Sequence, residues 1–201
     1  RRIRPGRVLE DFVNLMDLAP TFLEAAGVDI PDSMSASSLL HVLDSDESGQ
    51  VEGERTWVVM GRERHNAISR EGNLPYPMRA IRTEDFLYIH NFAPDRWPVG
   101  DPKGLDDLNA EAPSWESIVA TTRTVFPDMD GGPTKAWMIH HRADEYVQPL
   151  FQIAFGKRPQ EELYDLRTDP NEQQNLVSDD PETTATLTKI LLARLAEAES
   201  K

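Results

Sequence analysis

The 201-residue sequence predicts an α+β fold, in which a small four-stranded antiparallel sheet carries a packed C-terminal helix. Four short apolar segments have the length and composition of strands, at residues 56–61, 77–83, 86–91 and 162–166. The final segment, residues 181–199, repeats apolar residues on one face of a helix, namely Leu187, Ile190, Leu191 and Leu195. A sheet covered on one face by this helix accounts for both patterns.

Local sequence supports each strand. Residues 56–61 read Thr-Trp-Val-Val-Met-Gly, which is typical of a buried strand. Residues 83–85 separate the next two strands by a tight turn, so this pair is expected to form a hairpin. Side chains alternate along a strand, so Met78, Ala80 and Arg82 are expected on one face and Arg79 and Ile81 on the other.

The chain is expected to divide into two parts. Residues 56–201 form the sheet domain, interrupted by a helical and loop excursion at about 93–160. Within it, residues 114–126, 134–141 and 147–155 have helical patterns. Residues 1–55 contain one helix, at about 18–26, followed by a turn-rich acidic linker.

The helix at 18–26 has recognisable boundaries. Asp17 suits the N-cap, Pro20 falls in the first turn and Gly27 follows the last residue. Its apolar residues surround most of the helix, which indicates burial on most sides. The rest of the chain offers few partners, so this helix is expected to belong inside a larger body.

Composition excludes several classes of partner. Hydrophobic residues make up 39% of the chain and charged residues 28%, with a net charge of −14. Nucleic acids and anionic membrane surfaces attract basic proteins, so neither is an expected partner. The chain contains no apolar run long enough to span a membrane and no signal-peptide pattern. It also contains no cysteine, which excludes disulfides and a cysteine nucleophile within it.

Positive charge gathers in the middle of this acidic chain. Residues 62–96 contain six arginines and five acidic residues, so an anionic ligand is expected near this segment. Arg64 and His65 follow the first strand directly, where they could bind a sulfate or carboxylate and a sugar oxygen. A solvated cluster of mutually paired charges explains the same residues equally well. One of Arg79 and Arg82 could face the same site, because they lie on opposite faces of a strand.

Two other patterns have structural explanations. The aromatic and basic run at residues 90–98 could line a sugar pocket, or it could be an ordinary loop anchored by Trp97. His140 and His141 are adjacent on a predicted helix and therefore point about 100° apart, which does not suit joint metal ligation. No phosphate-binding loop, nucleophile elbow or zinc-binding helix motif occurs.

Two runs resemble the sulfatase family. The first, D-L-A-P-T-F-L-E-A-A-G at residues 17–27, is followed by S-L-L at 38–40, and the pair is similar to a sulfatase segment. The second, E-L-Y-D-L-R-T-D-P-N-E-Q-Q-N-L at 162–176, is similar to a late signature of the same family. The middle block, with Glu63, Arg64, His65 and Arg79, most resembles sulfatases of the heparan N-sulfatase (sulfamidase) type.

The resemblance implies an alkaline-phosphatase-like architecture in which residues 1–55 are the end of a large α/β domain. Sulfatases of this kind use a formylglycine made within a C/S-x-P-S-R motif, together with a calcium ion. This sequence contains neither the motif nor residues that match the metal-binding aspartates, so both are expected outside this segment. The chain is accordingly expected to be a fragment that is inactive alone and comes from a periplasmic or secreted enzyme.

The resemblance also implies a role for the middle block. The smaller domain of such sulfatases lends residues to the wall of the substrate pocket, which implies Arg64 and His65 as contacts to a sulfated carbohydrate, with Glu63 and Arg79 as further candidates. No residue of this chain matches a family nucleophile or metal ligand. The alternatives are a non-catalytic glycan- or protein-binding module of sulfatase ancestry, or part of a related phosphoester or phosphonate hydrolase.

Overall fold

The computed structural model describes residues 3–105, 107 and 109–199. Four strands form one sheet in chain order: β1 (Trp57–Arg62), β2 (Met78–Thr83), β3 (Phe86–Asn91) and β4 (Glu161–Asp165). Every neighbouring pair is antiparallel. The predicted α+β class, the strand count and the hairpin between β2 and β3 are confirmed.

One face of the sheet is covered by the C-terminal helix. Six helices are described: α1 (Leu18–Ala25), α2 (Leu40–Asp44), α3 (Trp115–Ala120), α4 (Pro133–His140), α5 (Gln148–Phe155) and α6 (Pro181–Glu199). Asp180 caps α6, since its carboxylate accepts a hydrogen bond from Thr183 N at 3.0 Å. Leu187 and Leu191 of α6 pack on Ile81 and Tyr88, and Leu191 is completely buried.

The second sulfatase-like run has a structural role at the outer edge of this sheet. Asn175 Oδ1 accepts a hydrogen bond from Leu163 N of β4, and Asn175 Nδ2 donates to Glu161 O. Leu176 N donates to Leu163 O. These bonds occupy backbone groups that an edge strand otherwise leaves unpaired.

The excursion between β3 and β4 has its own core. Helices α3, α4 and α5 surround a buried apolar cluster whose members are Leu105, Ile118, Val125, Phe126, Ala136, Ile139, Phe151 and Phe155. The helix predicted over residues 114–126 was too long, because α3 ends at Ala120. Val125 and Phe126 instead have positive φ angles of 42° and 53° while their side chains are fully buried. Packing in this core therefore outweighs their local backbone preference.

The first helix has the predicted position but makes few contacts with the rest of the chain. A short 3₁₀ helix (Leu15–Asp17) leads directly into α1, and its side-chain cap is Asn14. Asp17 occupies the predicted N-cap position of α1, but its side chain makes no capping hydrogen bond. Its carboxylate instead forms a 2.9 Å ion pair with Arg55.

An apolar surface remains exposed around α1. Within α1, only Pro20 and Thr21 are buried. Leu15, Met16 and Phe22 are 84%, 59% and 67% exposed. No helix among the described residues is long and apolar enough to cross a membrane. The described residues thus leave the apolar helix face uncovered, as its composition predicted.

The division into residues 1–55 and 56–201 stays a prediction. Residues 1, 2, 106, 108, 200 and 201 of these ranges lie outside the described part.

A glycine allows two backbone segments of the excursion to approach each other closely. Gly100 has φ +94°, and a Cβ atom there would lie 2.8 Å from Pro127 N and 3.0 Å from Asp128 N. Asp128 N donates to Val99 O at 2.9 Å beside it. Only glycine fits this close backbone approach without strain.

Gly100→Ala should therefore lower the free energy of unfolding by about 1–3 kcal/mol, because it forces alanine into the left-handed region against backbone atoms. Gly53→Ala is the matched control, since a Cβ there meets nothing within 4 Å. It should change stability by less than about 0.5 kcal/mol. Urea denaturation of the protein that contains this chain measures both, and equal stabilities would contradict the assigned geometry.

Candidate functional site

A cavity lies between the end of β1 and the start of α4. Its volume is about 710 Å³. One wall contains Arg62 and His65, and the other is formed by residues 128–135. Met138, Ala154 and Phe155 add apolar surface. Two segments more than 60 residues apart in sequence therefore build one site.

The first wall begins where β1 ends. Arg62 is the last residue of β1 and lies opposite Met78 of β2. Its side chain is 39% exposed, and His65 is exposed in the loop that follows. The strand thus carries a guanidinium to the edge of the sheet, and the loop adds an imidazole.

The second wall is the amino end of α4. Gly132 is the N-cap, Pro133 occupies the first turn, and the helix has no side-chain cap. A Cβ on Gly131 would lie 2.9 Å from Val119 O and 3.0 Å from Ile118 O, so glycine permits close packing against α3. Uncapped first-turn amides and the helix dipole favour a negatively charged group at this end.

Asp128 connects the two walls. Its carboxylate, completely buried, accepts hydrogen bonds from Ser69 Oγ and, at 2.8 Å, from Asn66 N. Asp128 Oδ2 lies 3.0 Å from Arg70 Nη2 and 3.8 Å from Arg62 Nη2. Burial acts to raise the pKa of Asp128, but the hydrogen bonds and both arginines outweigh it and hold the pKa below its ordinary value.

The charges at this junction do not balance. Arg70 has a 2% exposed side chain and makes the shorter contact with Asp128, so it accounts for most of the neutralisation of that carboxylate. Arg62 is farther away, and its closest oxygen contact there is Asp128 O at 3.5 Å. A guanidinium with incompletely neutralised charge therefore faces the cavity beside the positive end of α4.

Lys135 supports the second wall. Its Nζ donates to Phe126 O at 3.1 Å and to Met129 O at 2.8 Å. Burial lowers the pKa of Lys135 to about 8, and the nearby charge of Asp130 opposes this shift. These bonds hold the turn that carries Asp128, so Lys135 has a structural role at the site.

Sequence comparison identifies the family. The family model described as N-sulphoglucosamine sulphohydrolase, C-terminal, matches residues 1–118. The chain belongs to this sulfatase family. The resemblance predicted from the two sequence runs is confirmed.

The curated relatives of this sulfatase domain are much longer than the chain itself. N-sulphoglucosamine sulphohydrolase from Homo sapiens is 28% identical over 178 residues, covering 88% of this chain and 30% of the human protein. An ulvan-active sulfatase from Formosa agariphila is 29% identical over 179 residues, covering 88% and 27%. The chain therefore spans less than a third of either relative.

A solved structure is also similar to the sulfatase domain. It is described as a protein in complex with its substrate D-glucosamine-2-N,6-O-disulfate. The match has a TM-score of 0.48 and 19% identity, and it covers 92% of this chain and 24% of that one.

The predicted contact residues of the sulfatase domain do not gather in one place. His65 lines the cavity. Arg64 Nη1 instead donates to Asn73 O at 2.6 Å and to Asn73 Oδ1 at 2.8 Å. Glu63 and Arg79 form an ion pair with each other at 2.5 Å. The roles of all four toward a substrate stay predictions.

Three features of the site were not predicted from the sequence: the role of Arg62, the wall at residues 131–133 and the role of Asp128. Arg62 lies in the charged run that drew attention to Arg64, but which of the two faces the cavity depends on where β1 ends. The Gly-Gly-Pro run at 131–133 signals a helix start and could have indicated the second wall. Nothing local distinguishes Asp128 from other acidic turn residues.

Trp97 packs on Phe126 with ring centroids 5.6 Å apart, which supports the anchored-loop explanation of the run at 90–98.

The described residues do not provide a calcium site. They contain no group of three or more histidine, aspartate or glutamate side chains arranged to hold a metal ion. The calcium implied by the family resemblance therefore has no ligand set among the described residues.

Asp128→Asn should destabilise the protein by about 3–5 kcal/mol, because it leaves Arg70 buried without its counter-charge. Asp130→Asn is the control, since Asp130 lines the same cavity but is more exposed. It should have an effect below about 1 kcal/mol. Urea denaturation of both variants at neutral pH makes the comparison.

The same variants provide a test of pH dependence. A folded-state pKa below the unfolded one stabilises the protein above the unfolded pKa of about 3.9, and this contribution disappears as the pH falls through the folded pKa. The parent protein should therefore lose more stability below about pH 4 than Asp128→Asn does. Parallel stability curves for the two proteins would contradict the assigned role.

Proposed function

We propose that this chain is the substrate-binding C-terminal part of a sulfatase that hydrolyses sulfate esters or sulfamates of sulfated carbohydrates. The observation that carries the proposal is the large cavity, where the guanidinium of Arg62 lies beside the amino end of α4 with its charge incompletely neutralised. Family membership supports the reaction class. The names of the curated relatives support it as well, since one is a sulphohydrolase of N-sulphoglucosamine and the other a sulfatase.

The cavity suits an anionic group of the substrate. Arg62 supplies a planar guanidinium that can donate two parallel hydrogen bonds to a sulfate or a carboxylate. The first-turn amides of α4 add neutral donors and a favourable dipole. His65, exposed at the rim, can donate to a sugar oxygen. Together these groups would orient the substrate, and the reaction itself would occur elsewhere in the enzyme.

The chemical machinery is assigned to the remainder of the full-length protein. This chain contains no cysteine and no C/S-x-P-S-R motif, and its described residues contain no metal-binding cluster. A formylglycine nucleophile and a calcium ion would both come from a preceding catalytic domain. The isolated chain would therefore be inactive toward sulfate esters and sulfamates. A periplasmic or secreted location belongs to the same proposal.

That catalytic domain also explains the exposed apolar surface of the amino-terminal helix. Leu15, Met16 and Phe22 are large, apolar and more than half exposed. Monomeric proteins rarely leave a contiguous apolar patch of this kind uncovered. Docking of α1 against the remaining catalytic domain would bury these side chains.

Arg62→Ala in the full-length protein should raise KM for a sulfated saccharide about ten- to a hundredfold, the usual effect of losing a hydrogen bond to a charged group. Arg64→Ala removes the same charge two residues away, from a side chain held by Asn73. It should raise KM less than Arg62→Ala does, because Arg64 is already engaged by Asn73. Steady-state kinetics on a panel of sulfated sugars measures both.

The opposite ranking of these variants would favour Arg64 as the substrate contact. Unchanged KM in both variants would remove this cavity from the substrate site. Circular dichroism confirms that each variant is folded before kinetics are compared.

The isolated 201-residue chain should bind a hydrophobic dye and self-associate, because its apolar helix face has no cover. Replacing Leu15 and Phe22 together by serine should reduce both effects. Leu187→Ser is unsuitable for this purpose because Leu187 belongs to the core. Dye fluorescence and light scattering measure the result, and a monomer that binds no dye would contradict the proposed docking surface.

A further inference from the structure

A second, smaller cavity adjoins the first. Its volume is about 190 Å³, and it shares Arg62 and Ala154 with the larger cavity. Apolar side chains of the sheet and excursion line part of it, among them Met78, Ile89, Val99 and Ile153. The remaining lining is polar and consists of Tyr76, Asn91, Arg158 and Glu162. Arg62 therefore stands between two cavities of different character.

The hydroxyl of Tyr76 distinguishes the smaller cavity. Tyr76 is 3% exposed, and its Oη atom is buried without a hydrogen-bond partner among the described residues. The hydroxyls of Tyr88 and Tyr164, by contrast, each donate at 2.6 Å to a glutamate. Buried tyrosine hydroxyls normally have a partner, so this one is available to a bound group.

The protonation state of Tyr76 suits a donor. Burial, followed by the nearby charge of Glu162, raises the pKa of Tyr76 to about 12. The hydroxyl therefore keeps its proton at neutral pH. The guanidinium of Arg70, 5.6 Å from the ring centroid, stacks on the ring and holds it in place.

The polar wall of the smaller cavity is balanced in charge. Arg158 donates to Glu162 and, at 2.8 Å, to Tyr164 Oη. Asn91 Nδ2 donates to Glu162 Oε1 at 2.8 Å. The one carboxylate is thus matched by one guanidinium, unlike the excess of positive charge at Arg62. A balanced wall favours an uncharged polar group over a second anion.

The volume limits what can enter. A cavity of about 190 Å³ has room for several groups the size of a water molecule. This matches one edge of a sugar with its hydroxyls. The apolar lining would contact the carbon–hydrogen face of the same ring.

We propose that the smaller cavity is a subsite for the uncharged, hydroxyl-bearing edge of the sugar whose anionic group binds at Arg62, with Tyr76 Oη as hydrogen-bond donor. This inference rests on the proposed function. It adds that one sugar unit is recognised in two cavities, by its charge in one and by its hydroxyls in the other.

The test is Tyr76→Phe in the full-length protein, which removes one oxygen and little else. Disulfated monosaccharides, in which one sulfate can bind at Arg62 while the other is cleaved, are screened first. The best substrate is compared with 4-nitrophenyl sulfate, which has no sugar hydroxyl. Tyr76→Phe should raise KM for the sugar about two- to tenfold, the effect of losing one neutral hydrogen bond. KM for the aryl sulfate should not change.

Tyr88→Phe is the matched control. Tyr88 packs beneath α6 on the opposite face of the sheet, and its hydroxyl bonds to Glu161. This variant should lower the melting temperature and leave both KM values unchanged. Tyr76→Phe should leave the melting temperature unchanged and raise KM for the sugar alone. Removing a hydroxyl that has no protein partner does not break a hydrogen bond of the fold.

The outcomes separate the two proposals. Equal KM for Tyr76→Phe and the parent protein, with the sugar hydrolysed, overturns the subsite and leaves the proposed function intact. A similar rise in KM for both substrates also overturns it, because the effect would not depend on sugar hydroxyls. Failure of the parent protein to hydrolyse any sulfated sugar overturns the proposed function and the subsite with it.

Discussion

The buried carboxylate of Asp128 is the interaction on which the site depends. It binds the loop after β1 through Asn66 and Ser69 and pairs with the buried guanidinium of Arg70. The same residue belongs to the segment that leads into α4. A single side chain therefore fixes the position of the loop after β1 relative to the start of α4. A buried ion pair of this kind contributes little net stability over an apolar replacement, but it requires its partners in one geometry. Its value here is the fixed separation of the two cavity walls.

That geometry leaves two arginines beside one carboxylate. Arg70 is buried and paired with Asp128, whereas the guanidinium of Arg62 is less completely neutralised and faces the cavity. Such a local positive charge would attract an anion to this place, whereas the rest of the chain, which has a net charge of −14 overall, would repel it. Apart from the shared Arg62, the charges that line the adjoining smaller cavity are paired, because Arg158 bonds to Glu162. Neighbouring cavities of different electrostatic character can bind different parts of one ligand.

The amino-terminal segment obeys a different constraint. Helix α1 forms where its sequence predicts, but its apolar side chains stay exposed. Local propensity and capping are sufficient to specify a helix, whereas burial requires surface that the described residues do not supply. The sheet, by contrast, has a core between its strands and α6. The described residues therefore bury the apolar side chains between the sheet and α6 but leave those around α1 exposed.

The sequence by itself determined the elements whose signals are local. Alternating side chains and a short turn specified the hairpin of β2 and β3, and apolar periodicity specified α6, because neighbours along the chain create both patterns. Family membership followed from contiguous runs of the same kind. Only the tertiary structure decided the site. The position at which β1 ends places Arg62, and not Arg64, at the cavity, and Asp128 contacts Arg62 although the two are 66 positions apart in sequence. Packing likewise ended α3 at Ala120 and held Val125 and Phe126 at positive φ. Contacts so distant in sequence leave no periodic pattern, since they arise from packing between elements and not within them.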